Sequence, residues 1–96
     1  MPRPCKRRRV RGKPGSSYFK PAGIKMTELF ESVLTAEEFE AIRLKDFLGL
    51  MQKECAEKME ISQPTFHRLI IIARKKIADA IVNGKAIKIE SRNYNT

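Results

Sequence analysis

The residues best suited to chemistry follow Ser62, which can cap the N-terminus of a helix. A helix starting there would turn four side chains outward from its first two turns: Gln63, Pro64, His67 and Arg68. Amide, imidazole and guanidinium groups hydrogen-bond to base edges in the major groove of DNA, and a proline can contact a thymine methyl group. We therefore expect these four residues to read DNA bases.

A second group of residues is suited to the DNA backbone, because lysine and arginine neutralise phosphates and hydroxyl groups hydrogen-bond to them. The expected phosphate contacts are Lys53, Ser62, Thr65, Arg74, Lys75, Arg7, Arg8, Arg9 and Arg11. The net charge is +9, and residues 1–27 carry nine Lys or Arg and no acid. This basic leader would follow the backbone or enter a minor groove; a solvated tail and an RNA contact are the alternatives.

The sequence has no arrangement typical of an enzyme, a metal site or a cofactor site. Cys5 and Cys55 lie far apart without CxxC spacing, and His67 is the only histidine. The acidic run at residues 37–40 falls at the start of an expected helix, where it interacts favourably with the helix dipole and needs no catalytic role. Ninety-six residues form one small domain without a large cleft. We expect a non-enzymatic protein that binds double-stranded DNA and needs no cofactor.

Two helices joined by a tight turn must position the reading residues. Small or apolar side chains recur where two steeply crossing helices would touch: Cys55, Ala56, Met59, Ile61, Phe66 and Leu69. The first helix is expected over residues 51–59, with Ala56 at the closest approach. Its turn contains Glu60, where a left-handed backbone would cost about 1 kcal/mol. The pattern is that of a DNA-binding helix-turn-helix.

The second of these helices is predicted to be long. Its start lies at residues 62–64, and it ends near Val82 with Asn83-Gly84 as the stop signal. The buried stripe comprises Phe66, Leu69, Ile70, Ala73, Ile77 and Ala80. Ile71 and Ile72 fall partly off this stripe, and surplus apolar surface on a small domain indicates a partner. We therefore expect a homodimer.

A third helix is predicted to precede the pair. Thr35 and Glu38 have the spacing of a capping box. The expected buried stripe is Phe39, Ile42 and Leu44, completed by Phe47 or Leu48, and the expected outward residues are Glu37, Glu40, Arg43 and Lys45.

The remaining segments are short. Residues 28–33 have helical spacing and are expected to form one turn or more, while residues 17–20 are expected to form a short strand. Tyr18 and Phe19 are expected to pack in the core instead of stacking on bases. Residues 86–90 alternate as a half-buried strand does, and must pair with the leader, with residues 17–20 or with a second chain.

The expected organisation is a largely extended basic arm at residues 1–27, a DNA-binding domain at residues 28–90 and a flexible tail at residues 91–96. The longest apolar run, residues 69–73, is far short of the roughly 20 residues that span a membrane. No apolar run follows the basic start as it would in a signal peptide. We expect a cytoplasmic, nucleoid-associated protein without membrane contact.

The chain resembles a family of small prokaryotic proteins, domain of unknown function 134, also known as uncharacterised protein family 0251. The resemblance rests on MPRP at residues 1–4, YFKPAGI at 18–24, EFEAIRL at 38–44, AEKM at 56–59, S-x-x-T-F at 62–66, ARKKIADA at 73–80 and NGKAIKIE at 83–90. Residues 35–76 are also similar to the sigma-factor region that reads the promoter −35 element. The resemblance implies a DNA-binding protein of unassigned physiological role. Together with the residue patterns, it leads us to expect a mostly helical protein with a three-helix core like that of the winged-helix superfamily, a basic N-terminal arm and a short C-terminal strand. We expect this protein to act as a transcriptional regulator.

Two positions depart from the family pattern. Glu60 stands where the family usually has glycine, and Gln63-Pro64 replaces a more polar pair that commonly begins with arginine. Direct base reading at that position would therefore pass to Gln63, which can contact adenine.

Two alternative functions remain. One keeps the same fold, which would bind to RNA polymerase or another protein instead of DNA. Another is association with RNA or the ribosome through the arginine-rich arm.

Overall fold

Three α-helices and a three-stranded sheet make up the part of the protein that the computed structural model describes, residues 10–90. In chain order the elements are β1 (Tyr18–Phe19), a 3-10 turn (Met26–Glu28), β2 (Glu31–Leu34), α1 (Ala36–Ile42), a π-helical segment (Arg43–Phe47), α2 (Gln52–Met59), α3 (Gln63–Asn83) and β3 (Ala86–Ile89). The expected mostly helical fold is confirmed. Arg7, Arg8, Arg9 and the expected tail lie outside the described residues.

The N-terminus of α1 carries the predicted capping box. The Glu38 amide donates to Thr35 Oγ1 at 3.1 Å, and the Thr35 amide donates to Glu38 Oε1 at 2.9 Å. Two backbone donors that a helix start leaves free are thereby satisfied.

A π-helical segment prolongs α1 and changes which side chains are buried. The Leu48 amide donates to the carbonyl of Arg43 at 2.9 Å, five residues back. Each such turn holds more residues than an α-turn, so the side chains after Leu44 rotate away from the extrapolated stripe. Leu44 is buried, but Phe47 and Leu48 are 80% and 48% exposed. The expectation that Phe47 or Leu48 completes the buried stripe is therefore wrong.

The sheet has β3 at its centre. β1 pairs with β3 antiparallel, with Phe19 opposite Ile87, and β2 pairs with β3 parallel, with Leu34 opposite Ile89. The predicted strands at residues 17–20 and 86–90 are confirmed, and they pair within one chain. The helix expected at residues 28–33 is wrong, because residues 31–34 form a strand there.

Long-range pairing explains that strand. Ser32 and Leu34 both turn inward, and the Ser32 hydroxyl donates to the Lys76 carbonyl of α3 at 2.8 Å. The short apolar run fits a helix as well as a strand when it is considered alone. The partner strand β3 lies about fifty-five residues later, and pairing with it selects the strand.

The core forms two adjoining clusters around α3. The first gathers Ala41, Leu44, Cys55, Ala56, Met59, Phe66, Leu69 and Ile70, with Ile61 partly buried against it. The second gathers Leu34, Ala73 and Ile89, with Phe39, Ile42, Ile77 and Ile87 against it. The predicted stripes of α2 and α3 are thus confirmed.

The aromatic pair of β1 is placed differently from the expectation. Phe19 is 51% exposed, and the hydroxyl of Tyr18 donates to Glu31 Oε2 at 3.0 Å on the surface. The expectation that Tyr18 and Phe19 pack in the core is wrong, because β1 is a two-residue strand at the edge of the sheet.

Replacing Ala56 tests the crossing of α2 and α3. Ala56 is 3% exposed and lies in the first core cluster. Ala56→Leu should lower the free energy of unfolding by about 1–3 kcal/mol, because a larger side chain forces the helices apart. Urea denaturation followed by circular dichroism measures the loss. Lys58→Leu, at an exposed position of the same helix, should leave stability nearly unchanged; equal effects of the two substitutions would contradict the close crossing.

Candidate nucleic-acid interface

The turn between α2 and α3 is held by backbone contacts. Glu60 ends α2 in the left-handed conformation, with φ 60° and ψ 43°, as predicted. The Ile61 amide donates to the carbonyl of Ala56 at 3.1 Å and closes the turn. Glycine would adopt this conformation without the roughly 1 kcal/mol that a side chain costs.

The start of α3 is fixed by Ser62, which is its N-cap. Ser62 Oγ accepts from the Thr65 amide at 3.2 Å and donates to Thr65 Oγ1 at 2.8 Å. Gln63 and Pro64 thus occupy the first two helical positions, where proline is tolerated. Because the Ser62 proton is engaged in the cap, the Thr65 hydroxyl is the better donor to an external phosphate.

The four expected base-reading residues all lie on the exposed face of the first turns of α3: Gln63, Pro64, His67 and Arg68. Phe66, Leu69 and Ile70 face the opposite way, into the core. Within residues 10–90, no hydrogen bond or ion pair engages the Arg68 guanidinium. The sequence periodicity therefore placed these side chains together correctly.

His67 is oriented by a residue that the sequence did not single out. Nε2 of Gln52, the first residue of α2, lies 3.3 Å from His67 Nδ1. A side-chain amide nitrogen donates, so this contact favours the tautomer in which Nδ1 accepts and the ring proton lies on Nε2. In that tautomer Nε2 can donate to an external acceptor.

The residues expected to contact phosphates differ in whether they are exposed or already bound within the protein. Lys53 and Lys75 are exposed, and Thr65 is partly exposed. Lys53 lies in the first turn of α2, whose N-cap, Met51, has no side chain that could cap the free amides. Positive charge and uncapped amides both favour an anion at this helix end.

Arg74 is already bound within the protein. Its Nε and Nη2 donate to the two carboxylate oxygens of Asp46 at 3.1 and 2.6 Å. These hydrogen bonds hold the pKa of Asp46 below its ordinary value. Asp46 lies in the π-helical segment 28 residues earlier, so spacing along the sequence gave no sign of the pair. A phosphate must compete with Asp46 for Arg74.

Arg11 is held close to the domain through its backbone. The amides of Arg11 and Gly12 each donate to the Glu40 carboxylate at 3.1 Å, and Arg43 donates to the same carboxylate through Nε and Nη2 at 2.9 and 3.0 Å. Glu40 is 1% exposed, so the expectation that it faces solvent is wrong. Its four donors replace water around the charge.

Gly12 is required for this arrangement, which we call the Glu40 clamp. A Cβ atom at Gly12 would overlap the Arg43 side chain, and Arg43 cannot move aside without leaving Glu40. Burial by itself would raise the pKa of Glu40, but the hydrogen bonds from Arg43, Arg11 and Gly12 outweigh it and keep the pKa below its ordinary value. The clamp fixes residues 11 and 12 of the basic leader against α1, and the Arg11 side chain stays exposed there.

The family model for Protein of unknown function DUF134 matches residues 1–96. The chain belongs to the DUF134 family. A UPF0251 protein of Caldanaerobacter subterraneus subsp. tengcongensis is 61% identical over 94 residues, which cover 98% of this chain and 80% of the relative. A UPF0251 protein of Thermoanaerobacter pseudethanolicus is 60% identical with the same coverage. No solved structure matches the chain.

The described part of this DUF134 protein contains neither a helix long and apolar enough to cross a membrane nor a group of three His, Cys, Asp or Glu side chains placed to hold a metal ion. Cys55 is completely buried, and burial raises the pKa of its thiol. Its role in this DUF134 protein is therefore packing between α2 and α3.

The Glu40 clamp makes the stability depend on pH. The pKa of Glu40 is lower in the folded protein than in the unfolded chain. The stabilisation that Glu40 contributes is therefore fully present at pH values above the ordinary pKa of a glutamate, and it is lost as the pH falls through the lower pKa of the folded protein. Glu40→Gln should reduce the free energy of unfolding at pH 7 by about 1.5–3 kcal/mol. Urea denaturation at pH 7 and pH 3 measures this difference, which should shrink at the lower pH. Amide hydrogen exchange at Arg11 and Gly12 should accelerate.

Glu57→Gln is the matched control, because it removes the same charge from an exposed position. A control with an equal effect, or a Glu40→Gln difference that is constant with pH, would contradict the clamp.

Proposed function

We propose that this protein binds double-stranded DNA sequence-specifically and regulates transcription. The observation that carries the proposal is the exposed row at the start of α3, where amide, imidazole and guanidinium groups lie together beside the α2–α3 turn. The opposite face of the helix is buried, so the row faces away from the domain. An α-helix fits the major groove of B-DNA, and these groups match the donors and acceptors displayed there.

Each member of the row has a distinct role in this proposal. Arg68 is free for a bidentate contact with O6 and N7 of guanine, and Gln63 can pair with adenine. His67, oriented by Gln52, directs its Nε2 proton to an acceptor such as a purine N7. Pro64 adds apolar contact with a thymine methyl group.

The sequence-independent part of the affinity comes from phosphate contacts. Lys53 and the uncapped start of α2 lie near His67, because the adjacent Gln52 contacts the His67 ring, and Thr65 lies in the first turn of α3. Arg11, held against the domain by its backbone hydrogen bond to Glu40, extends the positive surface. Such contacts fix the register of the helix on the duplex.

A homodimer and a position on the nucleoid follow from the same proposal. Helix-turn-helix regulators commonly use two-fold symmetry to read two half-sites. Ile71 and Ile72 remain 49% and 48% exposed just beyond the row, which supports a partner surface.

Docking on RNA polymerase is the second candidate. Phe47, Leu48 and Met51 expose large apolar side chains within five residues, at 80%, 48% and 74%. Apolar side chains at this density mark a protein-binding surface. This candidate predicts weak binding to every duplex, and loss of polymerase capture in Met51→Glu.

Substitution of Arg68 tests base reading. A site is first selected from a random duplex pool with the full chain, and its binding is then titrated against salt. Arg68→Ala should weaken binding to the selected site by about 1–3 kcal/mol and relax the preference at one base pair. Lys53→Ala should weaken binding to all duplexes alike. It should also reduce the slope of log affinity against log salt concentration by about 1. Equal loss on every sequence for Arg68→Ala would make Arg68 a phosphate contact, and no enrichment at all would favour polymerase docking.

Substitution of Asp46 tests whether its ion pair withholds Arg74 from DNA. Asp46→Asn removes the competing carboxylate and should strengthen duplex binding by about 0.5–1 kcal/mol, with a salt slope steeper by about 1. The double variant Asp46→Asn/Arg74→Ala should show no such gain. If the gain persists without Arg74, it comes from the lost negative charge alone.

A further inference from the structure

We propose that two copies of this chain pair in antiparallel orientation along the outer face of the C-terminal half of α3. The inference deepens the proposed function by naming the dimer surface, and it rests on that function only for its consequence on DNA. The face carries Ile72, Lys75, Asp79 and Val82, which lie three, four and three residues apart. That spacing keeps the four side chains on one stripe of a helix. We call it the seam.

The seam is exposed and forms a shallow, largely apolar groove that Ala78 also lines. Ile72 and Val82, at its two ends, are 48% and 78% exposed. A small residue beside the centre allows a second helix to approach closely. Two such apolar ends on a helix of a small soluble domain are unusual without a partner.

The order of charges identifies the partner as a second copy. A two-fold axis at the level of Ile77 places Ile72 opposite the partner's Val82, and Lys75 opposite the partner's Asp79. Both apolar ends are then covered and both ion pairs form. A parallel arrangement would instead place like charges opposite each other, which is unfavourable. The seam is therefore complementary to itself in one orientation.

Asp79 can accept the additional contact. Its two oxygens already accept from Asn83 Nδ2 at 2.6 Å and from Lys85 Nζ at 2.7 Å. Each carboxylate oxygen has a second lone pair, so the partner's Lys75 can donate without displacing them. The Lys85 hydrogen bond also holds the pKa of Asp79 low, so the carboxylate is charged at neutral pH. Lys75 then serves the dimer in place of a flanking phosphate.

The antiparallel pairing suits the spacing of DNA. The centre of the reading row, residues 63–68, lies about eleven to twelve residues from Ile77. At 1.5 Å per residue, the two rows of a dimer are therefore separated by about 34 Å along the helices. Successive half-sites on one face of B-DNA are about 34–36 Å apart.

The direction of the two rows agrees with this spacing. At 3.6 residues per turn, the row lies about 70° around the helix from the seam. The two-fold axis is perpendicular to the plane of the paired helices, so it directs both rows to the same side. The core face of α3 lies about 140–150° from both the row and the seam, so the domains stay clear of the DNA and of each other.

Sedimentation velocity of the full chain without DNA tests the pairing. The wild type should dimerise, and Val82→Glu should raise the dimer Kd by ~10-fold or more, because it buries an unpaired charge. Ile81→Glu is the matched control: it lies on the adjacent residue, is 73% exposed and points off the seam, and it should leave the dimer intact.

A charge exchange tests the orientation. Lys75→Asp and Asp79→Lys should each weaken the dimer ~10-fold or more. The double variant should recover part of the affinity, because the exchanged charges again face each other although Asp79→Lys also loses its contacts with Asn83 and Lys85. Thermal melting of each variant separates dissociation from unfolding. A double variant that dimerises more tightly than either single variant supports the antiparallel seam, and a folded double variant that dimerises no more tightly than either overturns it.

The remaining outcomes separate this inference from the DNA-binding proposal. A wild type that is monomeric at every concentration overturns the seam, and so does an equal increase of the dimer Kd in Ile81→Glu and Val82→Glu. Either result would assign this face to a different protein. A monomer that still binds a single half-site overturns only the dimer. If the dimer responds to the charge exchange as expected but the selection enriches no duplex, only the proposed DNA function is overturned.

Discussion

Burial of one face of α3 is the constraint on which the rest of the structure depends. Phe66, Ile70 and Ala73 are completely buried, and they join the helical core cluster to the cluster beside the sheet. Every other element packs on this face directly or through a neighbour. Burial of this face determines which residues of α3 point inward. It therefore also determines which residues point outward, in the row and in the seam. One amphipathic helix therefore sets both the core and the two surfaces that carry the proposals.

The helical part of the fold could be predicted because its signals are local. The capping box at Thr35, the left-handed turn at Glu60 and the cap at Ser62 depend on residues within four positions of each other, and the apolar period of α3 repeats along one helix. The strand at residues 31–34 and the π-helical segment could not be predicted in this way. The first needs a partner strand from the other end of the domain, and the second changes the period on which the extrapolation relied.

The candidate site shows the same division. Exposure of Gln63, His67 and Arg68 followed from periodicity, because the side of a helix opposite its buried stripe faces solvent. The partners that tune the site did not follow, since Gln52–His67 and Asp46–Arg74 join residues 15 and 28 positions apart. Glu40 is the clearest case. Its sequence position indicates an ordinary surface acid, but residues 11 and 12 pack against it and supply two backbone donors.

The central position of β3 has a consequence for the order of folding. β1 and β2 do not pair with each other, and each makes its sheet hydrogen bonds only to the last described strand. During synthesis from the N-terminus, the helical cluster of α1, α2 and α3 can therefore assemble before any sheet exists. Closure of the sheet must await the emergence of Ala86–Ile89 from the ribosome. Until that moment β1 and β2 have no partner strand, so Ala86–Ile89 determine when Tyr18–Phe19 and Glu31–Leu34 join a sheet.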